Sequence, residues 1–436
     1  MAAFLTVLVA PAAANAEDQR PVPDYGGPPR PTTAGDVAAW PLRVVLFPPW
    51  AINEFVLRRP LGLLVTSAEK GAWVPKVQDF FSFGPRKQVT VFPSALFDFG
   101  LKPSVGFNLG WKYFLADPNT LSLHFGTWGP DWISLLASDN YAISKDQTVG
   151  LEGSLVRRRD QPFNGIGPLS QADARVRYSS TSWAVAPTYH LQGWRSSSFH
   201  SRAGVRGLAF GQGSCCGEAA LADEIRAGRM DAPGFGQSYV AAYQNVSLVI
   251  DTRKPKPAPG SGFRLEAHEE TAFTFENTAT SPRRSWVNYG GAVGAAIDLT
   301  GTQRVISASV DAEFSDPLQG QVPFTDQVQL GGNVLMTGYL RSRLVDRSAI
   351  VGTLQYRWPI WVFMDAVIHA AVGNVFGEHL QGFDVKDMRL SSGIGVISNA
   401  SRESAFEVLV AGGTDPFSEG FKVSSFRLLF GSHHGF

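Results

Sequence analysis

The chain has 436 residues, with 38 basic and 38 acidic side chains that leave no formal net charge. That balance excludes the basic excess by which nucleic-acid-binding proteins hold their partner, and no nucleic acid is expected here. The only two cysteines are adjacent, Cys215-Cys216, so they cannot supply the spaced pairs that clamp a structural zinc ion; two inert thiols are expected rather than a vicinal disulfide.

Residues 1–16, MAAFLTVLVAPAAANA, carry an apolar core from Phe4 to Ala10 and a small-residue site, Ala14-Asn15-Ala16, before Glu17. This is the layout of a cleaved secretory signal, although no Lys or Arg precedes the apolar run. A spanning helix needs ~20 apolar residues, so the run is too short for a permanent anchor. Residues 17–39 are rich in Pro and Gly and read as a linker. Across residues 40–86, Trp50, Phe55, Leu57 and Leu61 lie among Arg58, Arg59 and Lys70, and Pro60 breaks any single helix. Two short amphipathic helices are expected there.

From about Lys87 the period of the pattern becomes two. In residues 105–115 the odd positions are Val105, Phe107, Leu109, Trp111, Tyr113 and Leu115, with Gly106, Asn108, Gly110 and Lys112 between them. Ile306, Ala308, Val310, Ala312 and Phe314 alternate in the same way with Ser307, Ser309, Asp311 and Glu313. Such alternation fits a soluble sandwich with its apolar face inward or an outer-membrane barrel with that face outward. Length separates the two, because segments of about 10–12 residues match a tilted crossing of the hydrocarbon layer and exceed the ~5–6 of soluble strands. Aromatic residues near the segment ends, among them Trp358 and Trp361, fit interfacial belts. The expected fold is therefore all-β, a transmembrane antiparallel barrel over residues 87–436, ending on the aromatic Phe436 as a C-terminal barrel signal. At ~22 residues per span with its share of turns, it holds about sixteen strands, with fourteen and eighteen as even-numbered alternatives. Residues 40–86 then lie on the periplasmic side. A lumen of that width must be plugged or must conduct.

Residues 328–347, VQLGGNVLMTGYLRSRLVDR, resemble the lumen-inserting loop of the bacterial surface antigen superfamily, the BamA/TamA-type assembly factors and two-partner secretion transporters. The resemblance rests on Leu330-Gly331-Gly332 and on Met336-Thr337-Gly338-Tyr339, followed by Arg341. It continues in Leu354-Gln355-Tyr356-Arg357-Trp358-Pro359, in Ala371-Val372-Gly373-Asn374-Val375-Phe376 and, earlier, in the turn Phe163-Asn164-Gly165-Ile166-Gly167. In that family a loop arginine is held by acidic groups on two neighbouring strands. The matching positions here are Thr337, Gln355 and Ala371, so the three charges are absent together, which avoids leaving one of them buried and unpaired. Alternation places Gln355, Asp365, His369 and Ala371 on the lumen face, where Asp365 offers Arg341 or Arg343 a displaced partner.

The resemblance implies outer-membrane localisation and a role in membrane-protein assembly, translocation or lipid transfer. Residues 17–86 offer too few alternating strands for the POTRA modules that usually precede such barrels, so a separate periplasmic partner is expected, together with client β-barrel proteins and outer-membrane lipids. The alternative is a passive pore, for which Asn108, Lys112, Glu152, Asp311 and Glu313 supply polar lumen positions. A barrel enzyme would need a nucleophile and base such as Ser307 or Ser309 with His268, and no G-x-S-x-G or H-E-x-x-H motif occurs. No catalytic residue, cofactor or metal is expected.

Overall fold

The computed structural model describes residues 81–432 apart from 212, 214, 255–259, 277–281, 300, 302, 334, 362–363 and 399–405, together with 47, 55, 76, 79 and 80. The signal sequence, the linker, nearly all of the expected helical segment and Phe436 lie outside the described residues.

Among the described residues the main sheet has 18 strands, two of which, Ser82–Phe83 and Ala219–Ala220, are two residues long. The other sixteen close into an antiparallel barrel. In chain order they are β1 (Val89–Asp98), β2 (Ser104–Lys112), β3 (Asn119–Thr127), β4 (Ile133–Ala142), β5 (Gln147–Phe163), β6 (Val176–Gln192), β7 (Ser198–Gly211) and β8 (Tyr239–Asp251). They continue as β9 (Gly262–Thr274), β10 (Ser285–Asp298), β11 (Val305–Gln319), β12 (Ser348–Trp361), β13 (Met364–Phe376), β14 (Arg389–Ser398), β15 (Phe406–Thr414) and β16 (Val423–Ser432). Each pairs with the next, and β16 returns to β1.

Side-chain alternation explains the closure. Val105, Phe107, Leu151, Val185, Leu248, Phe263, Val293, Val310 and Leu354 all project from the outer wall and are exposed. An apolar surface that continuous is unfavourable in water and is matched to lipid, while closing the sheet leaves no unpaired backbone edge in the bilayer. The opposite parity puts Asn108, Lys112, Glu152, Asp311 and Glu313 on the lumen face. Strand lengths run from 9 residues in β3 to 17 in β5 and β6. The two long strands exceed the ~9–11 residues needed to cross. Their excess, with Asp160, Phe163, Arg177 and Tyr178 all buried, is covered by loops rather than by lipid.

The connections at one end are short, including residues 113–118, 143–146 and 193–197, whereas the other end carries 164–175, 212–238 and 320–347. Long loops mark the external side of such barrels. Both termini of the sixteen-stranded wall are then periplasmic, as an even strand number requires. Two long loops turn inward and fill the external end of the lumen. One apolar cluster joins Leu330, Met336, Tyr339 and Leu344 to Ala349, Val351, Ala371 and Val375 of the wall. A second joins Leu221 and Ala232 of segment 212–238 to Phe163, Val176, Tyr178, Phe324 and Val345.

The cysteines depart from expectation, because Cys215 and Cys216 form a disulfide rather than two free thiols. A disulfide between adjacent residues closes a ring through the single peptide bond that joins them, which depends on local backbone angles that the pattern of two cysteines in a loop does not reveal.

Candidate functional site

The segment 320–347 enters the lumen as a hairpin whose stem pairs Val328–Leu330 with Leu344–Asp346. Gly331 and Gly332 turn the chain at φ 108° and 86°, a region glycine enters without strain. A side chain at Gly331 would collide with the Leu340 carbonyl. The turn is closed by the Gly332 N–H donating to the Tyr339 carbonyl at 2.9 Å. Met336 and Tyr339 then bury themselves against β12 and β13 in the apolar cluster. Gly338 lies so close to the Gly412 carbonyl that only a hydrogen fits, and the Tyr339 ring covers Gly413. The Tyr339 hydroxyl donates to the Thr414 carbonyl at 2.6 Å, and burial raises its pKa. The Gly338 N–H donates to Ser391 Oγ at 2.8 Å, and its carbonyl accepts from Ser425 Oγ at 2.7 Å. The hairpin is thus held by β12 to β16.

Thr337 is hydrogen-bonded through its hydroxyl to His369 Nε2 on β13. Gln355 stands directly across from His369 in the β12–β13 register, and Thr353 across from Ala371. Ala371 packs in the apolar cluster, and Gly373 pairs with Val351. The displaced ion pair is not formed. Asp365 instead accepts from Arg357 Nε at 2.8 Å, because the β12–β13 register puts this wall arginine diagonally beside it. Arg341 is exposed, while Arg343 is buried and donates to Ser170 Oγ at 2.8 Å and the Ser170 carbonyl at 2.9 Å. Burial, with the like charge of Arg389 beside it, lowers the Arg343 pKa to about 10. Arg389 donates to the same Ser170 carbonyl at 2.7 Å, and the Gly167 N–H donates to the Val345 carbonyl at 3.0 Å, so the Phe163–Gly167 turn is docked on the lumen hairpin.

The residue that ties this arrangement together is Arg427 on β16, which alternation alone did not single out. Its guanidinium holds Asp98 of β1 through two bonds, Nε to Oδ1 at 2.8 Å and Nη2 to Oδ2 at 2.6 Å. The same group donates to Asn333 Oδ1 at 2.6 Å, to the Thr337 carbonyl at 3.2 Å and to the Gly332 carbonyl. The two side chains are 2% and 8% exposed. Around them the wall is thin, because among the described residues β1 and β16 share three residue pairs, Leu96 with Gly431, Phe97 with Phe430 and Asp98 with Leu429. Each neighbouring ladder is longer, with eight residue pairs between β1 and β2 and nine between β15 and β16. The cation that the resemblance places on the loop therefore stands on the wall and reaches the loop's backbone.

The lumen groups considered for catalysis do not meet. His268 Nε2 lies 2.8 Å from Glu313 Oε2, the two bridging across Gly290, whose lack of a side chain leaves the room. Ser309 Oγ donates to Asp311 at 3.1 Å, and Ser307 stands opposite Gln355, so neither serine is bonded to the histidine.

The barrel is similar to the crystal structure of BamA from Haemophilus ducreyi lacking POTRA domains 1-3, with a TM-score of 0.54 and 12% identity over 79% of this chain and 70% of that one. It is also similar to CdiB from Acinetobacter baumannii, with a TM-score of 0.47 and 12% identity over 79% of this chain and 59% of that one, a likeness too loose to add weight. No family model matches the chain, and no curated protein matches it. At this identity the likeness establishes the fold, a sixteen-stranded barrel of the BamA type.

Arg427→Met should strand the Asp98 carboxylate and cost about 3–5 kcal/mol in urea unfolding of the detergent-solubilised barrel, the usual penalty for halving a buried pair. Adding Asp98→Leu should recover part of that loss, and strictly additive effects would mean that the two do not meet. Thr337→Arg should place a second guanidinium beside Arg427 and His369 and cost ~1–3 kcal/mol. Gln355→Glu should relieve it, whereas Ala371→Asp should not, since Ala371 is 3% exposed within an apolar cluster.

Proposed function

We propose that this chain, with its BamA-type barrel, works at the outer membrane in the assembly or translocation of polypeptide, or in lipid transfer, by parting the seam between β1 and β16. The seam, three residue pairs long among the described residues, carries this reading. Each backbone group left unpaired in lipid costs several kcal/mol, so a ladder this short opens far more readily than its longer neighbours. Opened strands expose unpaired donors and acceptors, which in lipid are satisfied only by another strand or by closing again. An incoming strand can add to such an edge through main-chain bonds, with little demand on its sequence.

The lumen plug supports this reading over a passive pore, because the described loops fill the external end with packed apolar side chains and with arginines hydrogen-bonded to the Ser170 carbonyl. The reading is non-enzymatic. It includes cleavage before Glu17 on export, and a separate periplasmic partner that engages residues 40–82, with client β-barrels as the substrates handled at the seam.

Cysteines introduced as Phe97→Cys and Phe430→Cys face each other across the seam and should cross-link on oxidation. In liposomes, the oxidised barrel should fail to insert a small unfolded outer-membrane β-barrel, while the same variant kept open by alkylation retains the activity of the native protein. Equal insertion by both forms would sink the proposal. Steady ion conductance through the native barrel, unaffected by the cross-link, would favour the pore.

A further inference from the structure

The external loop 212–238 rests on a turn that is an unusual choice for its sequence. The Glu218 N–H donates to the Cys215 carbonyl at 3.3 Å, and the two residues between them have positive φ, 67° at Cys216 and 81° at Gly217. Two successive positive φ values are the pattern of a type I′ turn, which favours Asn, Asp or Gly at its first central position. Gly217 suits its place. A cysteine with a Cβ does not, yet Cys216 is bonded to its neighbour Cys215. The covalent ring holds locally what the backbone of a free cysteine would tend to leave.

What the turn presents matters more than the turn. Glu218 accepts from Arg175 Nε at 2.6 Å and from Arg177 Nε. Arg177 is 1% exposed and also donates to the Asp160 carbonyl at 2.7 Å and the Gly100 carbonyl at 3.0 Å. Glu218 is thus the carboxylate that neutralises a buried guanidinium joining β5, β6 and the β1–β2 connection. Directly after it, Ala219–Ala220 adds to β6 in parallel, and Leu221, fully buried, packs in the cluster that includes Phe324 and Val345 of the lumen hairpin. If the turn relaxes, Glu218 withdraws, and the brace above the hairpin goes with it.

We propose that Cys215–Cys216 is a thiol-reducible pin for the external half of the plug, taking as its reaction partner a dithiol that reaches it from outside. Cys216 is exposed, so a reductant has access. A thiolate of the dithiol attacks one cysteine sulfur and breaks the bond between Cys215 and Cys216, forming a mixed disulfide. The second thiolate then displaces that sulfur, so the reagent leaves as its own cyclic disulfide, two electrons pass to the protein and both cysteines take up protons as thiols. Reduction frees Cys216 from positive φ, detaches Glu218 from Arg177 and loosens residues 212–238, while the sixteen-stranded wall stays closed. The inference does not depend on the seam or on what the barrel transports.

Trypsin reports the state of the loop, since the Arg226 and Arg229 side chains are 76% and 63% exposed within it. Dithiothreitol should raise the rate of cleavage after these two residues several-fold in the full-length barrel in liposomes, with alkylation showing that both thiols have been freed. The chain has no other cysteine, so Cys215→Ser with Cys216→Ser should be cut at the fast rate with or without dithiothreitol. Glu218→Gln should be fast under both conditions as well. The proposal is overturned if the reduced native barrel is cut as slowly as the oxidised one. It is equally overturned if the double serine variant stays slow, or if dithiothreitol still accelerates its cleavage. Should that variant not fold to a heat-modifiable barrel, the native protein with and without reductant decides the matter.

Discussion

A single buried guanidinium holds three parts of this molecule in register. Arg427 on the last strand grips Asp98 on the first, and with its remaining donors takes the backbone of the lumen hairpin at Gly332 and Thr337 and the side chain of Asn333. Guanidinium is suited to this place, because its planar fork satisfies a carboxylate with two donors and still has others directed elsewhere. Lysine in the same place would bring a point charge and three donors, too few for all these acceptors at once. A buried ion pair adds little to stability by itself, but losing either member leaves a charge without water, so the arrangement is specific even where it is not strong.

The contact that the hairpin makes with the wall around Thr337 is correspondingly light in charge. Thr337 meets His369 through a hydroxyl, Ala371 offers a methyl to Met336 and Tyr339, and Asp365 is already neutralised by Arg357 on the neighbouring strand. With the wall carrying the cation, the hairpin contributes carbonyl oxygens, and these need no carboxylates behind them. Close approach does the rest. Gly338 on the Gly412 carbonyl and the Tyr339 ring over Gly413 bring the hairpin backbone to the wall at a distance no larger residue permits.

How much of this was legible in the sequence differs by the range of the interaction. The barrel was, because lipid on one side and water on the other impose a period of two on every strand, as Val105 to Lys112 and Ile306 to Phe314 display. The inward fold of residues 328–347 was read from their resemblance to a lumen-inserting loop, and Gly331, Gly332 and Gly338 stand where the chain turns and approaches the wall. The partner of Asp365 was not legible, since it depends on the register of two strands, and a shift of one residue moves every side chain to the other face. Arg427 carries a visible signal, the one charge of its strand at an inward position. Its partner lies 329 positions away in the chain, and only ring closure brings them together. The disulfide was misjudged for a similar reason, as a tight turn is set by backbone angles at Cys216 and Gly217 that composition does not encode.

The placement of Arg427 has a mechanical consequence that the ladder alone would not have. If β1 and β16 were joined only by their three residue pairs, parting them would leave the lumen hairpin undisturbed. Because one guanidinium serves both, parting the strands either separates Arg427 from Asp98, leaving a carboxylate to be solvated at the gap, or draws β16 away from the hairpin and strips the Gly332 and Thr337 carbonyls of their donor. Either route adds a polar cost to the few backbone bonds lost, so the seam stays shut at rest despite its short ladder. In the opening proposed above, an incoming strand would offset the backbone term by pairing with the exposed edge, but it would supply nothing to the carboxylate. Water entering from the lumen would, so that under this proposal hydration around Asp98 is a condition of opening and the barrier is set by polar solvation as much as by strand pairing.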